Sequence, residues 1–347
     1  MFSTEPVSEN VYSDVSAVAV VGAGISGLVA ARTLSDHNVP VHVFDKGRAP
    51  GGRASTRRQG DFEFDHGAQY FTARDERFVT QVRSWLRDGV VQTWDGEIGV
   101  ARRGSVVSKT TSVERYVGVP RMSALARNLS SGIRADSGTF VADVERVGHR
   151  WRLLDGDNES LGNYDAVVVA LPPEQACKLL TSSPSLADKA SSVEMQPCWA
   201  SLVVFDRPLS LKADGLFMDD DILSWAARNN SKPGRPEYES WVLHASPEWS
   251  QRHIGWQAAD VGSVLLTSLL EASGAPETAV LHLNSHLWRY AQAATPLSEG
   301  CLWDDALAVG ACGDWCHGSR IEGAFLSGLS VAERVLGHSG SGIADAG

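Results

Sequence analysis

Apolar positions change their period along this chain, and the changes mark its elements. Ala17-Val-Ala-Val-Val21 is a short unbroken apolar run. Unbroken rather than alternating, it predicts a strand buried on both faces, as in a parallel sheet. Leu28, Ala31 and Leu34 then recur at helical spacing, and Val41-His-Val-Phe-Asp45 predicts a second strand. Strand, helix and strand within about thirty residues form a βαβ unit. Phe78, Val82, Trp85 and Leu86 share one face of a helix expected over Arg77 to Asp88, and Met122 to Leu129 predicts another. Phe140 to Val147 and Trp151 to Leu154 are expected to pair in a small antiparallel sheet. Tyr164-Asp-Ala-Val-Val-Val-Ala170 is a further buried parallel strand, stopped by Pro172-Pro173.

From about Lys178 to Gly300 the pattern mixes. Strands are expected at Trp199 to Phe205 and Ser240 to His244, with a helix from Asp260 to Ala272. A buried strand returns at Ala306-Leu-Ala-Val-Gly310, and a last helix runs from about Gly323 to Leu336. The parallel-sheet domain is therefore expected to be discontinuous, from residues 15–75, 115–178 and 299–338, with 76–114 and 179–298 forming a second, α+β domain. Residues 1–14 read as a disordered extension and 339–347 as a low-complexity, flexible tail.

At 347 residues the chain is long enough for two cores. Its 31 basic and 42 acidic residues leave a formal charge of −11. That speaks against a nucleic acid or an anionic membrane surface, which need a basic face, but not against a small anion met by local arginines. The cysteines are Cys177, Cys198, Cys301, Cys312 and Cys316, an odd set at irregular spacing and no disulfide framework. Cys312 and Cys316 lack a second pair at zinc-site spacing, so buried thiols of a cytoplasmic protein are expected and no metal. No apolar run reaches the roughly 20 residues of a membrane span, and the polar, acidic N-terminus does not read as a signal peptide. Several of the eleven tryptophans are candidates to line a cavity for a flat aromatic ligand; packing is their plainer use.

Gly22, Gly24 and Gly27 stand between the first strand and its helix. The first permits the tight turn, the second lets backbone approach a pyrophosphate, and the third lets helix and strand close up. The helix N-terminus offers free N–H groups and a positive dipole end. Asp45 closes the second strand, where it is placed to accept hydrogen bonds from a ribose. A glycine-rich turn without a ligand is the alternative. Gly51-Gly-Arg53 follows, a flexible loop with a guanidinium that suits a long dinucleotide such as FAD, or else a solvated basic loop. Near the other end, Val309-Gly-Ala-Cys-Gly-Asp314 ends a strand on an aspartate, and Ile321-Glu-Gly-Ala324 opens a helix. Such an aspartate suits ribityl hydroxyls and such a helix end suits a flavin pyrimidine; a simple turn aspartate is the alternative. Arg57 and Arg58 either steer an anionic dinucleotide or are solvated loop residues.

Further stretches carry a resemblance. Phe44-Asp-Lys46, Gly51-Gly-Arg53, Gly67-Ala-Gln-Tyr-Phe-Thr-Ala-Arg74, Trp225-Ala-Ala-Arg-Asn229 with Ser231-Lys-Pro233, Trp241-Val-Leu-His-Ala245, Trp288-Arg-Tyr-Ala291 and Cys312-Gly-Asp-Trp-Cys316 with Glu322-Gly-Ala324 are the residues concerned. From about Ala17 to Leu336 the chain resembles FAD-dependent oxidases of the amine-oxidase superfamily, and within it the bacterial renalases. It departs in its N-terminal extension and in Cys316-His-Gly-Ser-Arg320.

The resemblance implies an α/β fold: a Rossmann-type FAD-binding domain of the glutathione-reductase and p-hydroxybenzoate-hydroxylase kind, with an inserted α+β substrate domain on an antiparallel sheet. It implies non-covalent FAD, touched by Gly22, Gly24, Ile25, Ser26, Gly27, Asp45 and Lys46 at one end. Gly52, Arg53, Ala68, Gln69, Val144, Leu171, Gly313, Asp314, Glu322, Gly323 and Ala324 are the further implied contacts, with the Gln69 loop passing the flavin ring. The implied reaction is hydride transfer from the 2- or 6-dihydro isomers of NAD(P) to flavin N5, with dioxygen reduced to hydrogen peroxide. Hydride loss leaves an aromatic cation, so alignment matters more than any acid or base. Gln69, His244 and Trp288 are the implied catalytic residues, and Tyr70, Arg228, Asn229 and Tyr290 the implied substrate contacts. A lone strand-end histidine or a Trp and Tyr two apart on a strand also serve as plain core. A true amine oxidase would be expected to hold a lysine by the flavin; Lys232 precedes Pro233 in an apparent loop, and neither it nor Lys212 is placed there. An isoprenoid desaturase would be expected to show an apolar membrane-facing stretch.

Overall fold

The computed structural model describes residues 17–109 and 113–341. The expected extension at 1–14 lies outside the described residues, as does 342–347 of the expected tail. Val18–Val21 is buried at every position. It lies within a six-stranded sheet ordered Leu302–Asp304, Val309–Ala311, Ala166–Val169, Val18–Val21, Val41–Asp45, Arg134–Ser137. All neighbours in it are parallel except the first pair. The parallel strands thus come from the beginning, the middle and the end of the chain. Parallel neighbours need crossovers, and the helix Ile25–Asp36 supplies the first. It packs on the C-terminal helix Ile321–Ser341 closely enough that a Cβ on Gly328 would collide with the Ser26 carbonyl.

The second sheet has seven strands, ordered Val280–Ala293, Met195–Phe205, Ser240–Ala245, Leu223–Arg228, Gly215–Met218, Ile98–Arg102, Ser105–Ser108. It is antiparallel except between Gly215–Met218 and Ile98–Arg102. Alternation gives it two faces. Val203, Trp241 and Leu243 pack under the helix Ala258–Ser273 through Val261, Leu265 and Leu269. Leu202, Val204 and Val242 meet Phe64.

Several elements differ from expectation. The helix Glu76–Arg87, capped by the Asp75 carboxylate accepting from Arg77 N at 2.9 Å, packs on the first domain although residues 76–114 read as part of the second. Phe78 lies 5.0 Å from Phe325 of the C-terminal helix. An apolar stripe dictates that a helix must pack, not against what. The small sheet has three strands, Asp143–Val147, Arg150–Leu154 and Ser160–Tyr164, and leaves Phe140 outside, 57% exposed. The expected Ala306–Gly310 strand starts at Val309, because Ala308 turns through φ 52°. The last helix runs on to Ser341, past the expected start of the tail. Among the described residues no helix is long and apolar enough to cross a membrane.

Candidate active site

A cavity of about 1450 Å³ opens at the carboxyl ends of the parallel strands and extends to the seven-stranded sheet. That place is where open α/β sheets bind ligands. Gly22 has φ 112°, and a Cβ there would strike the Ala170 carbonyl; one on Gly27 would strike the Gly22 carbonyl. Gly24 is the opposite case, with nothing within 4 Å of an added Cβ, and Gly52, at φ 52°, would meet only Gly24 Cα at 3.7 Å. Two bare backbones therefore face one gap. No side chain caps the helix that starts at Ile25, so its first N–H groups remain available to an anion. Gly22, Gly24, Ile25 and Ser26 line the cavity, while Gly27 serves the packing of helix on strand. The Asp45 carboxylate accepts from Ala23 N at 2.5 Å and Gly47 N at 2.6 Å, fixed at the cavity edge beside Lys46.

Arg53 joins three parts of the chain. It donates to both oxygens of Asp314, at 2.9 and 2.7 Å, and to the Ala291 carbonyl at 2.8 Å. Gly52, Arg53, Ala68, Leu171, Gly313, Asp314 and Ala324 all line the cavity. Glu322 turns elsewhere, accepting from Arg74 N at 2.6 Å and Asp75 N at 2.8 Å. Gly323 is a packing glycine, since a Cβ there would collide with the Gly318 carbonyl. Val144 is buried in the core with Trp151; Thr139, Phe140, Val141 and Ala142, just before it, line the cavity instead.

The far wall is aromatic. The His66 carbonyl accepts from Trp288 Nε1 at 3.0 Å and from His244 Nε2 at 3.2 Å. The His66 and Trp288 rings lie 4.6 Å apart, and His286 stands edge-on to Trp288 at 4.6 Å. Arg57 Nη1 donates to His286 Nδ1 at 3.0 Å. Burial pulls all three imidazoles down: His66 to about 3, with His286 and Arg57 adding to the effect, His244 to about 4, and His286 to about 4, helped by Arg57. These depressed values favour the neutral form of all three imidazoles at pH 7. Tyr290 and Cys198 also line it, and burial raises the Cys198 thiol to about 12, which leaves it unreactive.

Besides Gly27, Val144, Glu322 and Gly323, four more expected contacts are absent from the lining. Arg228 is consumed by Asp214 at 3.0 Å, Glu239 at 3.2 Å and the carbonyls of Leu209 and Leu211. Asn229 is buried, donating to the Glu63 carbonyl at 3.2 Å. Gln69 is buried and donates to the carbonyls of Asp65 and Gly67. Tyr70 packs with Trp94 and Trp225 at 5.8 and 5.5 Å. These residues stand behind the wall, where polar side chains satisfy buried backbone. Sequence reading missed His66 and His286. The second carries a signal: it precedes Trp288 by two on one strand, hence on the same face. Of the two loop arginines, Arg57 lines the cavity, and the mostly exposed Arg58 pairs with Glu63 at 3.2 Å.

The gap between Gly24 and Gly52, the uncapped helix end, and the aspartates at either end fit an extended dinucleotide. The cavity exceeds the about 300–1,000 Å³ of a single small-molecule pocket, so a second ligand has room beside it. Fold and cavity together fit a dinucleotide-binding protein of the Rossmann type. Comparison with known proteins narrows this. Residues 20–85 match the model of an NAD(P)-binding Rossmann-like domain, and residues 100–336 that of flavin containing amine oxidoreductases. The chain belongs to the flavin containing amine oxidoreductase family, and FAD is its cofactor.

A putative protoporphyrinogen oxidase from Exiguobacterium sp. 255-15 has a similar structure, with TM-score 0.75 at 11% identity over 93% of this chain and 99% of that one. Cyclohexylamine oxidase from Brevibacterium oxydans IH-35A also gives 0.75, at 13% identity over 94% of this chain and 100% of that one. At such identities the likeness concerns the fold. The tRNA 5-methylaminomethyl-2-thiouridine biosynthesis bifunctional protein MnmC of Thiobacillus denitrificans is 26% identical over 44% of this chain, which spans 31% of that relative's length.

Proposed function

We propose that the protein is an oxidase of renalase type, which oxidises 2- or 6-dihydro isomers of NAD(P) to NAD(P)+ in the cytoplasm. The observation that supports this reading is the charge of the cavity. Lys46, Arg48, Arg53, Arg57, Lys178, Arg289 and Arg320 line it, against the carboxylates of Asp45 and Asp314 alone. Among the described residues only Arg53 of these cations forms an ion pair. A chain of formal charge −11 has gathered more cations here than one pyrophosphate uses, and a second phosphorylated ligand accounts for the surplus. An alkylamine arrives as a cation and is opposed by the same field.

FAD, held between the Gly24 and Gly52 backbones and the Asp45 and Asp314 carboxylates, would supply the hydride acceptor and the route to dioxygen, for the balance dihydro-NAD(P) + O2 + H+ → NAD(P)+ + H2O2. The chain's own part is alignment. Trp288 offers a flat face, and no base is required because the hydride leaves with its electron pair. His244 spends its Nε2 proton on the His66 carbonyl, which leaves Nδ1 as an acceptor for a substrate N–H such as a carboxamide. The family description and the fold shared with cyclohexylamine oxidase favour a second reading, oxidation of a small amine.

Anaerobic mixing of the yellow protein with each dihydro isomer separates the two. Fast bleaching of the flavin by the 2- or 6-isomer, with 4-dihydro-NAD(P)H far slower, supports the first reading and identifies the isomer. Bleaching by amines and by no dihydropyridine overturns it.

A further inference from the structure

Behind the cavity wall lies a lysine that the proposed reaction does not touch. The Lys232 side chain has 0% exposed surface. Its ammonium donates to Gln69 Oε1 at 2.9 Å and Asn229 Oδ1 at 3.4 Å, and stands 3.9 Å from Asp65 Oδ2. The Trp94 ring closes the cage at 5.9 Å. Asp65 is held in turn by Arg235 at 2.5 and 3.0 Å, Thr56 Oγ1 at 2.9 Å and Met122 N at 3.0 Å. Asp65 and Gln69 flank the His66–Ala68 segment of the cavity wall. Lys232 and Arg235 come from the turn that follows the strand Leu223–Arg228 of the other sheet. Arg235 also donates to the Gly118 and Pro233 carbonyls, both at 2.6 Å. Two cations and one carboxylate thus bolt the domains together under the wall.

We infer that Lys232 is a positioning residue: its ammonium holds the Asp65–Gln69 segment in register, and loss of its proton releases that segment. The ammonium donates to two amide oxygens and is drawn by its charge to the Asp65 carboxylate at 3.9 Å. A neutral amine loses that attraction and, with both N–H groups on the amide oxygens, turns its lone pair toward the carboxylate. The His66 carbonyl carries both Trp288 and His244, so movement of this segment moves the wall. Asp65, Arg235 and His244 are the titratable or charged groups that face the ammonium. Burial, with Arg235 outweighed by the pull of Asp65 in the other direction, brings the Lys232 pKa down to about 7, and the release therefore falls at ordinary pH. The inference requires bound FAD and no particular substrate.

Hydrogen exchange of the His66–Gln69 amides in the FAD-loaded protein, corrected for intrinsic rates, tests it, alongside the visible spectrum of the flavin. Between about pH 6 and pH 8.5 these amides should lose roughly ten-fold in protection while those of Val18–Val21 hold, and the flavin spectrum should shift with a one-proton transition near 7. Lys232→Met should abolish the transition and leave the segment poorly protected throughout; Lys232→Arg should restore protection without a transition. Constant protection and spectrum in the wild type, or a transition that survives in Lys232→Met, overturns the inference. The wild-type measurement decides alone if the methionine variant fails to fold. Neither readout involves substrate, so failure of the dihydropyridine reading leaves the result intact.

Discussion

The two halves of the cavity are built by different means. On the parallel-sheet side the backbone forms the surface, and glycines decide how near it comes. On the seven-stranded side the surface is made of side chains, whose positions depend on hydrogen bonds and on buried charge. In the first half Gly22 and Gly27 tolerate no added atom. The second half tolerates atoms at the ends of side chains, but depends on which groups carry protons.

The largest effect should come from Gly27→Ala. Its Cβ collides with the Gly22 carbonyl, and neither backbone can retreat, so FAD affinity should fall at least ~100-fold and the protein should purify colourless. Gly215→Ala is its counterpart in the other sheet, meeting Ile98 Cδ1 and the Trp225 ring, each at 2.7 Å. Side chains yield, so this variant should stay yellow with a Tm lower by a few degrees. A yellow Gly27→Ala, or a colourless Gly215→Ala, breaks the comparison.

Arg228→Gln should come next. It leaves Glu239 buried without its cation and should cost about 3 kcal/mol in urea unfolding, with substrate KM unchanged. Normal stability with a raised KM would return Arg228 to the substrate site. Asp314→Asn removes the charge that Arg53 grips and should weaken FAD about ten-fold, read by flavin fluorescence on dilution.

Acid should act on the aromatic wall. His66, His244 and His286 have folded pKa values of about 3, 4 and 4, while unfolded histidine titrates near ~6.5. Below that value the unfolded chain binds more protons, so their stability contribution is complete above it and lost as pH falls toward 4. Tm should drop over that window, and His286→Asn should flatten the drop; an unchanged profile counts against a neutral wall. The smallest effect belongs to Trp288→Phe, which deletes one hydrogen bond, about 1 kcal/mol, and should raise the substrate Kd about five-fold while FAD binding stays the same.

The legibility of the site follows the same division. Gly22, Gly24, Asp45, Arg53 and Asp314 line the cavity, and they stood out in the sequence because tight turns at strand ends demand particular residues at fixed spacing. Gln69, Tyr70, Arg228 and Asn229 were assigned to the cavity and stand behind it. Their neighbours Gly67 and Ala68 do line it, and a polar side chain near a site reads alike whether it faces a ligand or a buried carbonyl. His286 and Lys232 were overlooked because nothing local distinguishes them.

By itself the sequence determined the parallel strands, their origin in separate stretches of the chain and the glycine turn between the first strand and its helix, all consequences of short-range pattern. Tertiary structure decided which face each polar residue of the second sheet turns to the cavity, where the helix Glu76–Arg87 docks, and that a lysine in an apparent loop is fully buried. Those outcomes depend on contacts between separate elements, some more than a hundred and fifty positions apart, such as Lys232 with Gln69. Periodicity along the chain carries no record of them.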